Sequence, residues 1–336
     1  MGLHIFWFCL IALTWTGYLF LEGFDFGVGM LVRGLARGDT ERRVLVNTIG
    51  PVWDGNEVWL IVSAGAMFAA FPAWYADLFA AFYVPLILVL LALIGRGVAF
   101  DYRGKVENPR WRAAWDAVIT VGSVIPPLGI GAMLGTNVGG IPLDAQGNRV
   151  GSALDVFSLH SLLGALGVLG FSLAHGLAYT ALKTEGELRD RARRLLRRYG
   201  IVLLLPLLAL LALQLGTIVA GIGFVLAVLG ALTAWWRAGA GRDGQAFAAL
   251  GVVIAAAGVT LFGSLFPNVL VSTVEGVPPL SVAKAASSPY TLEVMTWIAA
   301  FATPAVLIYQ AWSYWVFRKR IGVRHIPAAH APKAAA

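Results

Sequence analysis

Residues 183–219 read KTEGELRDRARRLLRRYGIVLLLPLLALLALQLGTIV. The first half carries seven basic residues: Lys183, Arg189, Arg191, Arg193, Arg194, Arg197 and Arg198. From Gly200 to Val219 there is no charge at all. An uncharged apolar run of about 20 residues is long enough to cross a bilayer. Lys and Arg crowded at the foot of such a run mark the cytoplasmic side. The stretch therefore reads as a basic cytoplasmic loop feeding a membrane span, and it predicts an all-α polytopic membrane protein.

Worked outward, the pattern repeats. Nine spans are expected, at about 5–30, 50–70, 75–99, 113–135, 154–182, 200–219, 222–237, 245–266 and 290–317, in a single integral-membrane domain covering 1–336. The sixth and seventh run almost together, with Gly221 and Gly223 beside Ala220 to make the turn. One long bent helix is the alternative there. Charge placement favours the turn. The loops at 31–49, 100–112, 183–199 and 238–244 (with Arg237), together with the C-terminal tail (Arg318, Lys319, Arg320, Arg324, Lys333), hold 22 of the 25 Lys and Arg. The intervening loops hold two, Arg149 and Lys284, and Arg96 lies inside a span. The positive-inside rule then predicts an N-terminus outside and a cytoplasmic C-terminus. Merging the two spans would scramble that alternation. The segment 267–289, with Pro267, Pro278, Pro279 and Pro289, reads as an irregular external loop.

Composition agrees. Hydrophobic residues make up 59% of 336, charged residues 13%, and mean hydropathy is +0.77. A soluble chain carries roughly a quarter charged residues, so a soluble enzyme, a disordered segment and a nucleic-acid-binding domain are excluded. The net charge of +7 has a membrane cause. The sole cysteine, Cys9, excludes a disulfide framework and any Cys-based zinc or iron–sulfur site within this chain. The apolar start has no basic n-region and no small-residue cleavage site, and it is expected to be the first span rather than a signal peptide. The 39 glycines include Gly23/Gly27 and Gly131/Gly135, pairs four apart that suit close helix packing in lipid.

Ionisable residues inside spans are costly and point to function. Here span one carries Glu22 and Asp25, span two Asp54 and Glu57, and span three Arg96 with Asp101 just beyond. At about 1.5 Å per residue, all six fall in roughly the cytoplasmic third of the bilayer. Each carboxyl pair is three residues apart and shares a helix face. One reading is helix-end charges reaching for the interface, which the long Arg96 side chain does readily. Another is a cation site, which needs several converging oxygens. The favoured one is a proton entry route, since crowded carboxyls withdrawn from water are suited to holding and releasing protons.

Haem ligands are not in evidence. His4, His325 and His330 sit near the ends, and His160 and His175 are 15 apart in span five. That is about 22 Å along a helix, too far to share one iron. Met67 and Met133 have no paired axial partner. Most of the twelve Trp lie near span ends, as an interfacial belt would. Trp53 and Trp59 instead bracket Asp54 and Glu57, and Asp54 and Trp59 point about 140° apart on a helix.

Several blocks are distinctive: Gly23-Phe-Asp-Phe-Gly-Val-Gly-Met30, Pro51-Val-Trp-Asp-Gly-Asn-Glu-Val-Trp-Leu60, Phe100-Asp-Tyr-Arg-Gly-Lys105, Trp115-Asp116 and Tyr309-Gln-Ala-Trp-Ser-Tyr-Trp315. Across nearly the whole chain the sequence resembles subunit II of cytochrome bd-type quinol oxidases. The resemblance implies a subunit without haem ligands in a bacterial cytoplasmic (inner) membrane complex that oxidises quinol and reduces dioxygen to water with cytoplasmic protons. Two b-type haems and one d-type haem are then expected in the partner, subunit I. The resemblance also implies that Asp54 lies on a proton path, with Asp101 and Lys105 near its mouth, and that Trp59 borders an oxygen tunnel. Asp25, Glu22 and Glu57 extend the path in this reading, and Arg96 is their charge partner. A small single-span accessory subunit, and contacts with lipid and quinone, are left open.

The chain departs from the family pattern in three places. The connection between spans six and seven is shorter than in longer members. Glu57 stands where a neutral residue such as Gln is usual. Val282-Ala-Lys284 replaces a usual Trp-Asp. Two rival readings remain at this level, a purely structural scaffold for subunit I and a proton-coupled secondary transporter. The transporter is the weaker, because the charges cluster to one side and no repeat is visible.

Overall fold

The computed structural model describes residues 2–144, 148–150 and 152–326, so His330 and Lys333 lie outside the described residues. Helices dominate: α1 (Leu3–Gly34), α2 (Asp39–Ile49), α3 (Trp53–Ala70), α4 (Pro72–Ala81), α5 (Tyr83–Tyr102), α6 (Pro109–Gly139), α7 (Leu159–Lys183), α8 (Gly186–Ala212), α9 (Ile218–Gly239), α10 (Asp243–Leu265), the single turn α11 (Val282–Ala285) and α12 (Pro289–Val316). Among the described residues, eight of them (α1, α5 to α10 and α12) are long and apolar enough to cross a membrane. Helix α3 is 18 residues long and opens on Asp54, Asn56 and Glu57, which lower its apolarity.

Helix ends follow local chemistry. The side chains of Asn108, Ser158, Thr217 and Ser288 each accept a hydrogen bond from a backbone N–H in the turn they open, satisfying donors that a helix start leaves orphaned. Thr217 shifts an expected boundary. The chain turns at 213–217, not at Gly221 and Gly223, which lie inside α9. A Gly216-Thr217 pair supplies a flexible residue followed by a cap, which outweighs glycines placed within an apolar run. The third span also begins later than expected, at Tyr83. The preceding α4 is a separate helix that starts on Pro72 and stops at Phe82. The external loop 267–289 is less irregular than its prolines suggest, because β1 (Asn268–Leu270) pairs antiparallel with β2 (Leu280–Ser281). The amphipathic α2 inside the loop at 31–49 was not anticipated either.

The connections sort onto two faces. On one, Arg103 and Arg112 meet Asp39, Arg191 meets Glu41, and Asp243 receives Arg189, Arg193 and Arg320. Arg324 meets Glu185 there at 2.7 Å. On the other face the ties are neutral. Ile141 N–H donates to Val271 O at 3.1 Å, and Ser287 N–H to Ala70 O at 2.8 Å. The indole of Trp7 donates to Thr296 at 3.0 Å, and that of Trp74 to Asn137 at 2.9 Å.

Small residues set the helix spacing. A Cβ on Gly27 would lie 2.6 Å from the Gly176 Cα, so α1 and α7 cross with backbones in contact. Gly164 does the same between Gly131 and Gly135 of α6. Without a hydrophobic drive between helices in lipid, such close approach and its dispersion contacts hold the bundle. Helix α12 differs, since only 6% of its most apolar stretch is buried.

Candidate functional site: a buried ion cluster between α1, α3 and α5

Glu22 and Asp25 are fully buried although they sit mid-chain in α1, the longest helix. Arg96, one and a half turns before the end of α5, reaches between the helices. Its Nη1 is hydrogen-bonded to Glu22 Oε1 and lies 3.8 Å from Glu57 Oε2 of α3. The guanidinium is fully buried and flanked by the rings of Phe26 (4.8 Å to the centroid) and Phe100 (5.3 Å). Planar Arg suits this slot, since it can pair with a carboxylate edge-on and stack on aromatic faces at once. Two carboxylates from two helices thus share one cation from a third. Glu22 Oε2, Asp25 Oδ1, and Nε and Nη2 of Arg96 are buried with no protein partner among the described residues. So is the Tyr18 hydroxyl, one turn before Glu22. Buried polar atoms of this kind are rare unless something polar is to meet them.

A hydrogen-bonded chain leads sideways from this cluster. Asn56 Nδ2 donates to Asp25 Oδ2 at 2.6 Å. Its Oδ1 accepts from Gln310 Nε2 at 3.0 Å and from the Tyr314 hydroxyl at 2.8 Å. Gln310 Oε1 in turn accepts from the Trp59 indole at 2.8 Å. Trp59 therefore points to α12 and packs on Gly17 of α1. Asn56, Gln310 and Tyr314 were missed as site residues although all three lie in the distinctive blocks. Gln310 and Tyr314 are four apart, a polar stripe on an otherwise apolar span, and that was the signal available.

The remaining expected residues stand apart. Asp54, Asp101 and Lys105 are exposed on this chain's surface, at the ends of α3 and α5 nearest the Arg-rich face. A second ionic layer, which sequence reasoning did not assign, ties the end of α5 and the start of α2 to α6. Arg103 Nε donates to the fully buried Asp116 at 2.5 Å and its Nη2 to Asp39 at 2.7 Å. Arg42 also meets Asp116, at 3.3 Å.

Among the described residues the histidines are not gathered into a metal-binding group. His175 is buried with both ring nitrogens unpartnered, but its ring stacks on Phe247 and is enclosed by Phe20, Phe24 and Phe171. Among the described residues, no group of three His, Cys, Asp or Glu is placed to hold a metal ion.

The profile of the family "Cytochrome bd terminal oxidase subunit II" matches residues 3–317. The chain belongs to the cytochrome bd terminal oxidase subunit II family. It is 42% identical over 329 residues to cytochrome bd ubiquinol oxidase subunit 2 of Bacillus subtilis (strain 168), covering 95% of this chain and 97% of that one. It is 34% identical to cytochrome bd-I ubiquinol oxidase subunit 2 of Escherichia coli (strain K12), covering 95% of each. The fold is similar to that of the bd oxidase from Geobacillus thermodenitrificans, with a TM-score of 0.69 and 20% identity over 94% of this chain and 97% of that one. As a member of the subunit II family, this chain is an integral-membrane subunit of an oxidoreductase complex.

Proposed function

We propose that this chain works beside a haem-bearing subunit I in a quinol:dioxygen oxidoreductase of the bacterial inner membrane, and lends it a proton path from the cytoplasm. In this reading α3 is the ninth span. Its 18 residues reach about 27 Å, and its polar first turn is met by Arg96 and Asp25 rather than by lipid. The N-terminus is outside and the Arg-rich face cytoplasmic, by the positive-inside rule. Two b-type haems and one d-type haem belong to subunit I, and quinol is the electron donor. In this reading His175, packed among Phe20, Phe24, Phe171 and Phe247, serves packing while the haems are held by subunit I.

The observation that carries the proposal is the convergence of Glu22, Glu57 and Asp25 on Arg96 and Asn56 in an otherwise apolar bundle. Ionisable groups at such depth mark ion pathways. Protons enter past exposed Asp101, Lys105 and Asp54, pass to half-buried Glu57, and reach Glu22 and Asp25 through the buried atoms that lack protein partners. Trp59, turned away to α12, borders the route by which dioxygen crosses. The weakly buried α12 and the outer side of α3 are the surface offered to subunit I. A small accessory subunit, lipid and quinone are further partners in this reading.

A purely structural role is the second reading. It is favoured by the direct Arg96–Glu22 pair, which also locks α5 to α1. Oxygen consumption by the purified complex carrying Asp54→Asn, with quinol as donor, separates the two. Collapse of turnover with an unchanged haem spectrum supports the proton path. Full turnover leaves the chain a scaffold.

A further inference from the structure

A second polar site lies away from the ion cluster, where α1, α8 and α9 end on the Arg-rich face. A pocket of ≈ 740 Å³ there is walled by Arg37, Arg191, Arg194, Arg197, Arg198 and Trp235. We propose that this pocket binds the phosphate of an anionic glycerophospholipid headgroup.

Helix α8 provides its own comparison. Arg189 and Arg193, four apart, turn to Asp243, which they share with Arg320. Arg191, Arg194 and Arg198 follow the i, i+3, i+7 spacing of another helix face and turn to the pocket. On that side acid is scarce. Glu41 takes one nitrogen of Arg191, and Glu187 stands 3.9 Å from Arg37. Among the described residues no carboxylate pairs with Arg194, Arg197 or Arg198. Arg191 is the built part of the site. Its side chain is only 9% exposed, and its Nε and Nη1 have no partner. A buried guanidinium left half-satisfied at the base of an arginine pocket calls for an anion.

The level and the walls favour a lipid over a free anion. Helix α8 changes from charged to apolar at Tyr199 and Gly200, which puts the pocket at the depth of lipid headgroups. Trp235 fixes its indole by donating to Arg197 O at 3.0 Å, and Trp236 lies beside it, as aromatic residues do at that interface. Gly239 leaves room for Arg197, whose Nη1 would sit 2.8 Å from a Cβ there. A second recess of ≈ 250 Å³ shares Arg197 and Trp235 and adds Trp236. Basic pockets between membrane helices on the cytoplasmic side suit anionic headgroups, and the pocket volume falls within the range of about 300–1,000 Å³ for small-ligand sites.

The test uses the intact complex, purified with its partner subunit and stripped of lipid. Phosphatidylglycerol and phosphatidylcholine with the same acyl chains are titrated in, and bound lipid is counted by native mass spectrometry. The unaltered complex is expected to prefer phosphatidylglycerol by about tenfold or more, and the variant Arg194→Gln/Arg197→Gln/Arg198→Gln to lose most of that preference. Arg110→Gln, exposed on the same face outside the pocket, is expected to keep it. If the triple variant does not assemble, exposed Arg198→Gln alone is expected to weaken the preference. Equal retention of both lipids by the unaltered complex overturns the proposal, as does an unchanged preference in the pocket variants or an equal loss in Arg110→Gln. Displacement of phosphatidylglycerol by millimolar inorganic phosphate shows a free-anion site and overturns the lipid assignment.

Discussion

Asn56 on α3 holds Asp25 on α1 at 2.6 Å, while its other amide atom is held by Gln310 and Tyr314 of α12. One amide thus joins the ion cluster to the helix most exposed on the surface of the chain. Replacing it with Leu keeps the branched shape and the number of side-chain heavy atoms, and leaves three buried or half-buried polar groups without their partner. Each such loss costs about 1–3 kcal/mol. Asn56→Leu is therefore expected to lower the thermal midpoint of the purified complex clearly. A midpoint matching the unaltered complex would show that Asn56 bonds differently in the assembly.

The Arg96–Glu22 pair is sealed from water on both sides. Removing one partner of a buried pair costs about 3–5 kcal/mol, because the other charge is left uncompensated. Arg96→Gln is expected to be the most damaging single change in α5. Adding Glu22→Gln is expected to restore much of the lost stability, read as thermal inactivation half-life. No recovery in the double variant would mean that Arg96 serves chiefly Glu57 and Asp25.

Trp59 can be changed at two levels. Trp59→Phe keeps an aromatic ring over Gly17 and drops the hydrogen bond to Gln310. Trp59→Ala opens the space as well. If the ring borders the dioxygen route, the two are expected to differ in KM for dioxygen, with kcat for quinol at saturating oxygen little changed. Parallel losses in kcat would assign Trp59 to the polar chain instead.

Packing gives the simplest expectation. Gly176→Ala puts a methyl group into the Gly27 backbone, with Cβ contacts of 2.4–2.6 Å to Gly27 and Val28 atoms. Overpacking of this kind typically costs about 1–3 kcal/mol. The variant is expected to assemble at reduced yield, measured as haem-containing complex per cell mass. Gly221→Ala in α9, which meets nothing within 4 Å, is the control.

The sequence and the structure agree where one physical signal dominates. Long apolar runs flanked by alternating charge place α1, α6, α7 and α10 closely, because lipid leaves the backbone no choice but helix. Boundaries set by a cap or a proline were harder to read, as Thr217 and Phe82 show, since hydropathy passes smoothly through both. The convergence of Glu22, Asp25, Glu57 and Arg96 was legible because charge in a span is costly and must be met. Asn56, Gln310 and Tyr314 were not, because neutral polar residues are tolerated in spans for many reasons. The Asp116–Arg103–Asp39 layer escaped for the opposite reason. Its members sit at helix ends, where charge is expected and draws no notice.

The polar opening of α3 also bears on how the chain enters the membrane. A segment beginning Trp-Asp-Gly-Asn-Glu is a poor candidate to leave the insertion machinery alone, since each uncompensated carboxylate at depth is costly. Its compensating cation, Arg96, is made about 40 residues later, on α5. In the nine-span reading, insertion of α3 then waits for α5, and α1, with Glu22, remains nearby until both arrive. The same ion pairs that fix three helices in the finished bundle make these helices enter as a group, so that biogenesis here is expected to proceed by a three-helix unit and not one helix at a time.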